Sequence, residues 1–245
     1  MNYYFITGTS YGLGRAIAEL LLQRDNVHVY GISRSCSIQH VNYTHVTVDL
    51  SDLSQVMLAA NVFKQKFSKD DNLYLVNNAG VVDPIKHVKD FTSQEIQTLF
   101  NINLISVIEL TNAFLQIPAS AFNTRVIVNV SSGAASKVSD GWALYGSSKA
   151  ALDHFTLHVA KELEIDNVVS TRIFSVAPGV VDTNMQRKIR ETSLEQFSNR
   201  TRFDTLFETN NLVSPDLVAM KYVKILDTPS DFPFAVFSAK DIQTS

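Results

Sequence analysis

The clearest candidates for chemistry are a tyrosine and a lysine four residues apart, Tyr145 and Lys149, in the run Tyr-Gly-Ser-Ser-Lys. This spacing places both side chains on one face of a helix, so that the lysine ammonium lies near the phenol. A nearby cation favours the phenolate and lowers the tyrosine pKa from its usual value of about 10, which suits proton transfer at neutral pH. The pair predicts a general acid or base, although such a pair is common by chance.

Two serines, Ser131 and Ser132, supply a second polar group for the same chemistry. They follow the β-branched run from 125 to 130, and Ser132 precedes Tyr145 by thirteen residues. This separation lets the end of a strand and the next helix bring a hydroxyl to the phenol. A polar strand terminus without chemistry is the alternative.

A glycine-rich turn, Thr-Gly-Thr-Ser-Tyr-Gly-Leu-Gly at 7 to 14, joins the first strand to a helical segment. Glycines at 8, 12 and 14 let the backbone turn tightly and approach a pyrophosphate at the helix N-terminus, where amides point outward. The turn predicts a dinucleotide site, and a plain strand-to-helix loop is the alternative.

Ser33 and Arg34 lie at the tip of the second predicted strand, where dinucleotide folds distinguish their cofactors. An acidic side chain there would bind a ribose 2′-hydroxyl. The neutral serine leaves room for a 2′-phosphate, and the arginine offers donors to bind it. NADP(H) is therefore predicted over NAD(H), with a solvated loop arginine as the alternative.

Polar residues also close the third and fourth predicted strands. Asp49, followed by Leu50, is placed to accept a hydrogen bond from the adenine amino group. The run Asn-Asn-Ala-Gly at 77 to 80 puts compact polar groups beside the cofactor. Ordinary turn chemistry also favours these residue types at strand ends.

The elements that must position these groups alternate between strand and helix. Short apolar runs predict buried parallel strands at 3–7, 27–32, 44–48, 73–77, 125–130 and 170–176, and helical patterns fill 13–24 and 54–67, the second led by Asp52. The pattern predicts a single-domain α/β fold of Rossmann type, a doubly wound parallel sheet with helices on both faces. The polar stretch from 182 to 211 is predicted to be a lid over the substrate pocket.

Composition limits which classes of partner and which cellular location are expected. The chain has 245 residues, a net charge of −3 and one cysteine, Cys36, so neither nucleic-acid binding nor a disulfide framework nor a cysteine zinc site is expected. The six histidines are scattered, and the pair His154 and His158 lacks further ligands, so no metal is expected. No membrane span or export signal is predicted, and a cytoplasmic location is expected.

These motifs occur in an order that resembles the short-chain dehydrogenase/reductases. The resemblance spans positions 3 to about 185 and rests on the glycine turn, the Asn-Asn-Ala-Gly run, Asn103, Ser132, Tyr145 with Lys149, and Pro178-Gly179 with Thr183. It implies that Tyr145 is the acid/base, that Ser132 polarises a carbonyl, and that Lys149 binds the nicotinamide ribose and lowers the tyrosine pKa. Asn103 would hold a water in a proton relay.

The resemblance also implies a set of cofactor contacts and an assembly. The predicted contacts are Gly8, Ser10, Tyr11, Gly12, Leu13, Gly14, Ser33, Arg34, Asp49, Leu50, Asn78, Ala79, Gly80, Tyr145, Lys149, Pro178, Gly179, Val181 and Thr183. In this family the helices after strands four and five commonly form a dimer interface, so a homodimer is expected.

Narrower similarity lies at Gly141 to Tyr145 and at Asp182 to Ser193, which look like sepiapterin reductase and bacterial relatives that include benzil reductases. Sepiapterin reductases have an aspartate in their C-terminal strand that anchors the pterin substrate. The C-terminal strand of this sequence lacks that aspartate, and Asp241 lies beyond the strand. The predicted activity is NADPH-dependent reduction of a ketone or vicinal dicarbonyl. Pterin or 3-oxoacyl thioester reduction, an NADP(H)-sensing regulator, and a docking patch at Arg187, Lys188 and Arg190 are the alternatives.

Overall fold

The computed structural model describes residues 1–243, and these contain a sheet of seven parallel strands in the order β3-β2-β1-β4-β5-β6-β7. The strands are β1 (Asn2–Thr7), β2 (Val27–Ser33), β3 (Tyr43–Thr47), β4 (Asn72–Asn77), β5 (Thr124–Val130), β6 (Thr171–Ala177) and β7 (Val236–Ser238). The sheet order reverses beside β1, so that β4 starts the second half. The predicted doubly wound α/β fold is confirmed.

Helices cover both faces of this sheet. They are α1 (Gly12–Leu21), α2 (Leu53–Ala59), α3 (Ser93–Phe100), α4 (Ser106–Leu115), α5 (Ala143–Ile165), α6 (Asn184–Glu191), α7 (Arg200–Glu208) and α8 (Pro215–Asp227). The apolar sides of α1 and α8 pack on one face, and those of α2, α4 and α5 pack on the other.

Alternation along β1 explains why both faces are apolar. Tyr4 and Ile6 belong to the cluster with α1 and α8, whereas Phe5 between them belongs to the cluster on the opposite face. Successive strand side chains point to opposite faces, so a strand buried on both sides must be apolar at every position. A third cluster, around Tyr145, Phe197 and Phe203, lies under α6 and α7.

The predicted strands are all present, each within one residue of its expected ends. The predicted helix over 54–67 is shorter than expected, because α2 ends at Ala59 and the chain continues as a 3-10 helix, Ala60–Lys64. Asp52 caps α2 as expected, and its carboxylate accepts a hydrogen bond from the Ser54 amide at 3.0 Å.

A helical segment, Ser93–Leu115, is long and apolar enough by composition to cross a membrane, whereas the sequence pattern predicted no such segment. Core helices of soluble proteins can have the same length and apolar composition. Leu110 and Phe114 of this segment are buried against the sheet. A π-helical turn, Asn101–Ile105, interrupts it between α3 and α4.

Arg125, at the start of β5, is buried and closes the C-terminus of α4. Its Nη1 donates to the carbonyl oxygens of Phe114 at 3.0 Å, Leu115 at 3.2 Å and Ile117 at 3.0 Å. Its Nε donates to the Thr171 hydroxyl at 3.1 Å. Burial lowers the pKa of Arg125 to about 10. The guanidinium therefore supplies donors to the carbonyl groups at the end of α4, where Phe114 also accepts from the Ile117 amide at 3.3 Å.

Replacing Arg125 with methionine is expected to lower the free energy of unfolding by about 2 kcal/mol, because carbonyl groups lose their donors while part of the desolvation cost is recovered. Chemical denaturation measures the change. Arg172→Met, at an exposed position of the adjacent strand β6, is the matched control and should be nearly neutral. Equal losses in the two variants would contradict the capping role.

Candidate active site

A cavity of about 770 Å³ opens at the carboxyl ends of the strands and runs from the tip of β2 to the helices α6 and α7. Ligands of open α/β sheets bind at this edge, near the reversal of strand order. All of the predicted cofactor contacts except Gly14 line the cavity, and Ser132 lines it too. The fold therefore brings together groups that lie up to 175 residues apart, from Gly8 to Thr183.

Gly14 instead packs the glycine turn against the end of β4. A Cβ on Gly14 would collide with the Asn78 amide and come within 2.5 Å of the Gly8 carbonyl oxygen. Gly8 adopts φ +73°, and a Cβ there would lie 2.9 Å from the Ala79 Cα. These glycines let the turn lie flat on the Asn-Asn-Ala-Gly run.

Hydrogen bonds of Thr7 and Asn78 join the end of β1 to the end of β4. The Thr7 hydroxyl accepts from the amides of Asn78 and Ala79, both at 2.9 Å. The Asn78 side chain donates to the Thr7 carbonyl at 2.9 Å. Asn77 points away, because its amide is buried and donates to Asn129 at 2.9 Å. Only the second asparagine of the run faces the cavity.

The N-terminus of α1 is open for an anion. Tyr11 at its N-cap makes no side-chain capping bond, and no acidic residue lies in the first turn. The first amides of a helix lack intrahelical acceptors and favour phosphate. The turn and α1 thus form a cradle that fits a pyrophosphate.

The tip of β2 carries no carboxylate. Ser33 is buried and its hydroxyl donates to the Ser35 carbonyl at 3.0 Å, while Arg34 is exposed and lines the cavity. Asp49 lies near Arg34. Hydrogen bonds from Ser51 lower the pKa of the Asp49 carboxyl, and the charge of Arg34 lowers it further. The residues present fit a dinucleotide with a 2′-phosphate.

Tyr145 is buried near the N-terminus of α5, beside Ser132. Burial raises the pKa of Tyr145, and a hydrogen bond from the Ser132 side chain lowers it by less. The expectation that Lys149 would lower this pKa is wrong for this structure, because desolvation of the phenol dominates. A phenol that keeps its proton suits a general acid.

Lys149 lies one turn further along α5 and is buried too. Its ammonium donates to the Val130 carbonyl oxygen at 2.7 Å, at the end of β5. Burial lowers the pKa of Lys149 to about 8, and the nearby Asp153 carboxylate raises it by less. The lysine therefore presents a poorly solvated ammonium to the cavity.

Asn103 does not line the cavity, although it lies behind Gly80. Its side chain joins both polar groups of Val81, accepting from the amide and donating to the carbonyl, each at 2.8 Å, and donates to Ser148 at 3.2 Å. It lies in the π-helical turn, and such turns are frequent at functional sites. Its side chain positions the loop after β4, and its role in holding a water stays a prediction.

The stretch predicted as a lid contains α6 and α7, and both helices line the cavity. A backbone bridge between Val181 and Val213 joins the two ends of the stretch. Lys188 forms an ion pair with Asp83 of the loop after β4. In the loop between β5 and α5, the Asp140 carboxylate accepts hydrogen bonds from the amide and the hydroxyl of Ser198, both at 2.8 Å.

Aromatic side chains line the end of the cavity beside α6 and α7, and of these only Tyr145 was a predicted site residue. Trp142 stacks on Phe197 at 4.7 Å and contacts Phe203 and Tyr145 edge-on, each at 5.5 Å between ring centroids. The Met185 sulfur lies 4.0 Å from the Tyr145 hydroxyl. Trp142, Met185 and Phe203 line the cavity and favour a planar apolar ligand.

The remaining candidates lie elsewhere. Asp241 is exposed in the last 3-10 turn and does not line the cavity. His154 and His158 lie on the exposed face of α5, and residues 1–243 contain no group of three or more metal-ligating side chains.

The proposed docking patch on α6 has partners within the chain. Arg187 pairs with Glu191 at 3.7 Å, and the Arg190 guanidinium lies 3.7 Å from the centroid of the Phe207 ring. Lys188 pairs with Asp83, as described above. These charges therefore contact the predicted lid itself and the loop after β4.

Comparison with known proteins agrees with this geometry. A family model described as short chain dehydrogenase matches residues 2–194. Benzil reductase ((S)-benzoin forming) of Bacillus cereus is 38% identical, with 95% of this chain and 96% of that protein covered. Sepiapterin reductase of Meriones unguiculatus is 30% identical, over 90% of this chain and 89% of that protein.

A crystal structure of a short chain dehydrogenase/reductase from Saccharomyces cerevisiae superposes with a TM-score of 0.84 at 28% identity, covering 98% of this chain and 97% of that one. The family match spans the glycine turn, the serine after β5, and the tyrosine and lysine of α5. The chain therefore belongs to the short chain dehydrogenase family and is an oxidoreductase.

Proposed function

We propose that this protein reduces one carbonyl group of a vicinal dicarbonyl to the hydroxy compound, with NADPH as the cofactor and Tyr145 as the proton donor. The observation that carries the proposal is the convergence of Ser132, Tyr145 and Lys149 on one cavity whose far end is aromatic. The cofactor and the substrate would then occupy opposite ends of this cavity.

The preference for NADPH rests on Arg34 at the cavity and on the neutral Ser33 beside it. The cofactor would lie against the glycine turn, Asp49 and the Asn78 region, and would supply the hydride. Tyr145 holds a proton for the developing alkoxide, and the Ser132 hydroxyl donates to the carbonyl oxygen. The Lys149 ammonium would bind the nicotinamide ribose and stabilise negative charge beside the phenol.

A dicarbonyl substrate is supported by the relatives and by the shape of the site. The Bacillus cereus relative is named for benzil reduction. A second carbonyl beside the reacting one withdraws electron density, so hydride addition needs less assistance from the pocket. Trp142 and Phe203 offer flat apolar contacts to such a ligand. Asp241 does not line the cavity, which weakens a pterin as the substrate.

We expect a small aromatic 1,2-diketone to be reduced faster than sepiapterin or an acetoacetyl thioester, each at saturating NADPH. Reduction should stop at the hydroxyketone, because that product has lost the activating carbonyl. NADPH oxidation with product analysis measures both. A preference for the thioester would contradict the dicarbonyl proposal, and a preference for sepiapterin would show that pterin binding does not need the C-terminal aspartate.

A further inference from the structure

The cavity carries an excess of positive charge, and the chemistry above uses only part of it. Six cationic side chains line it (Arg34, Lys137, Lys149, Lys188, Arg202 and Lys240) against three carboxylates (Asp49, Asp83 and Asp153). The whole chain has a net charge of −3, so this excess is local. Clefts lined by one sign of charge concentrate ligands of the opposite sign.

Four of these six cations already have a proposed role, a charged partner or a packing contact. Arg34 and Lys149 lie in the proposed cofactor half, and Lys188 is paired with Asp83. The Lys240 stem lies against Gly179, in the predicted cofactor loop. Lys137 and Arg202 remain, and neither side chain has a hydrogen-bond or ion-pair partner among residues 1–243.

These two residues flank one contact at the substrate end. The Asn199 side chain donates to the Ser139 hydroxyl at 3.4 Å, which joins the loop after β5 to the start of α7. Lys137 lies two residues before Ser139, and Arg202 lies three residues after Asn199. The Arg202 guanidinium lies 5.7 Å from the centroid of the Phe203 ring.

The neighbouring carboxylates bond to other groups and not to Lys137 or Arg202. Asp140 accepts two hydrogen bonds from Ser198, and Asp204 pairs with Arg200 at 3.0 Å. Neither Asp140 nor Asp204 lines the cavity. An aromatic wall beside two cations that have no partner among the described residues therefore suits a flat ligand that carries a negative charge.

We propose that Arg202 and Lys137 bind a carboxylate on the substrate, at the side of its aromatic ring away from the reacting carbonyl. The proposal rests on the proposed function and narrows it to aromatic 1,2-diketones that carry an anionic substituent. A guanidinium offers paired donors that match a carboxylate, and the lysine ammonium adds a second charge.

The test compares 1-phenyl-1,2-propanedione with its 4-carboxy derivative as substrates, using NADPH oxidation to obtain kcat/KM for each. We expect the unaltered enzyme to favour the carboxylated compound by about tenfold, the value of one charged hydrogen bond. Arg202→Met should remove most of that preference and Lys137→Met part of it, whereas Arg202→Lys should keep a substantial share. Added salt should weaken the preference in the unaltered enzyme.

Arg187→Met is the matched control, because it removes a lid arginine that pairs with Glu191 and does not line the cavity. It should leave the ratio of the two kcat/KM values unchanged. Reduction of both compounds with the same ratio in the unaltered, Arg202→Met and Lys137→Met enzymes would overturn the inference alone. Failure to reduce either compound would overturn the proposed function and the inference with it.

Discussion

Replacing Tyr145 with phenylalanine is expected to lower kcat by about 10²- to 10⁴-fold while leaving NADPH affinity within about threefold of the unaltered enzyme. Phenylalanine keeps the ring packed edge-on against Trp142, so only the hydroxyl is lost. The alkoxide formed by hydride addition would then lack the proposed proton donor. Initial rates of diketone reduction and calorimetric titration with NADPH measure the two quantities separately.

Tyr222→Phe is the matched control for this substitution. Tyr222 is also fully buried, and its hydroxyl donates to the Val176 carbonyl oxygen at 2.7 Å without lining the cavity. It should lose some stability and little turnover. Lys149→Ala should impair both kcat and NADPH affinity, because its ammonium is proposed to stabilise negative charge beside the phenol and to bind the nicotinamide ribose. A Tyr145→Phe enzyme with near-normal turnover would remove the tyrosine from the mechanism.

The fold was predictable because its signals are local. A strand buried on both faces needs an unbroken apolar run, and a strand end in a parallel sheet attracts Gly, Asn, Asp and Ser. The predicted polar groups at the ends of β1 to β5 therefore lie at one edge of the sheet. Of the predicted catalytic and cofactor-binding residues, all but Gly14 and Asn103 line the cavity there. Helix ends were less predictable: α2 passes into a 3-10 helix at Ala60 without a glycine or proline to mark the change.

The substrate end could not be predicted in the same way, because it depends on how the lid packs. Phe203 and Arg202 are adjacent in sequence, and only the seating of α7 brings both to the cavity. Lys137 lies in a loop with no periodic pattern. The pKa of Tyr145 is a similar case: the spacing to Lys149 indicated a lowered value, but the degree of burial, which reverses the direction, is a property of the folded chain.

The double substitution Ser33→Asp with Arg34→Leu is expected to lower kcat/KM with NADPH by about 10²-fold and to make NADH the better cofactor. Arg34 lines the cavity and lies close enough to Asp49 to lower its pKa, so its charge is available at the predicted position of the 2′-phosphate. Leucine removes that charge, and a carboxylate at position 33 would repel a phosphate while accepting a hydrogen bond from a 2′-hydroxyl.

Arg34→Leu alone separates the two effects, because it should weaken NADPH use without improving NADH use. Ser33 is buried, with its hydroxyl 3.2 Å from that of Thr9, so the double variant needs a thermal denaturation curve to show that it is folded. Steady-state kinetics with each cofactor at a fixed diketone concentration provide the comparison. If the unaltered enzyme already uses NADH as well as NADPH, the tip of β2 does not select the cofactor, and Arg34 is a solvated loop residue.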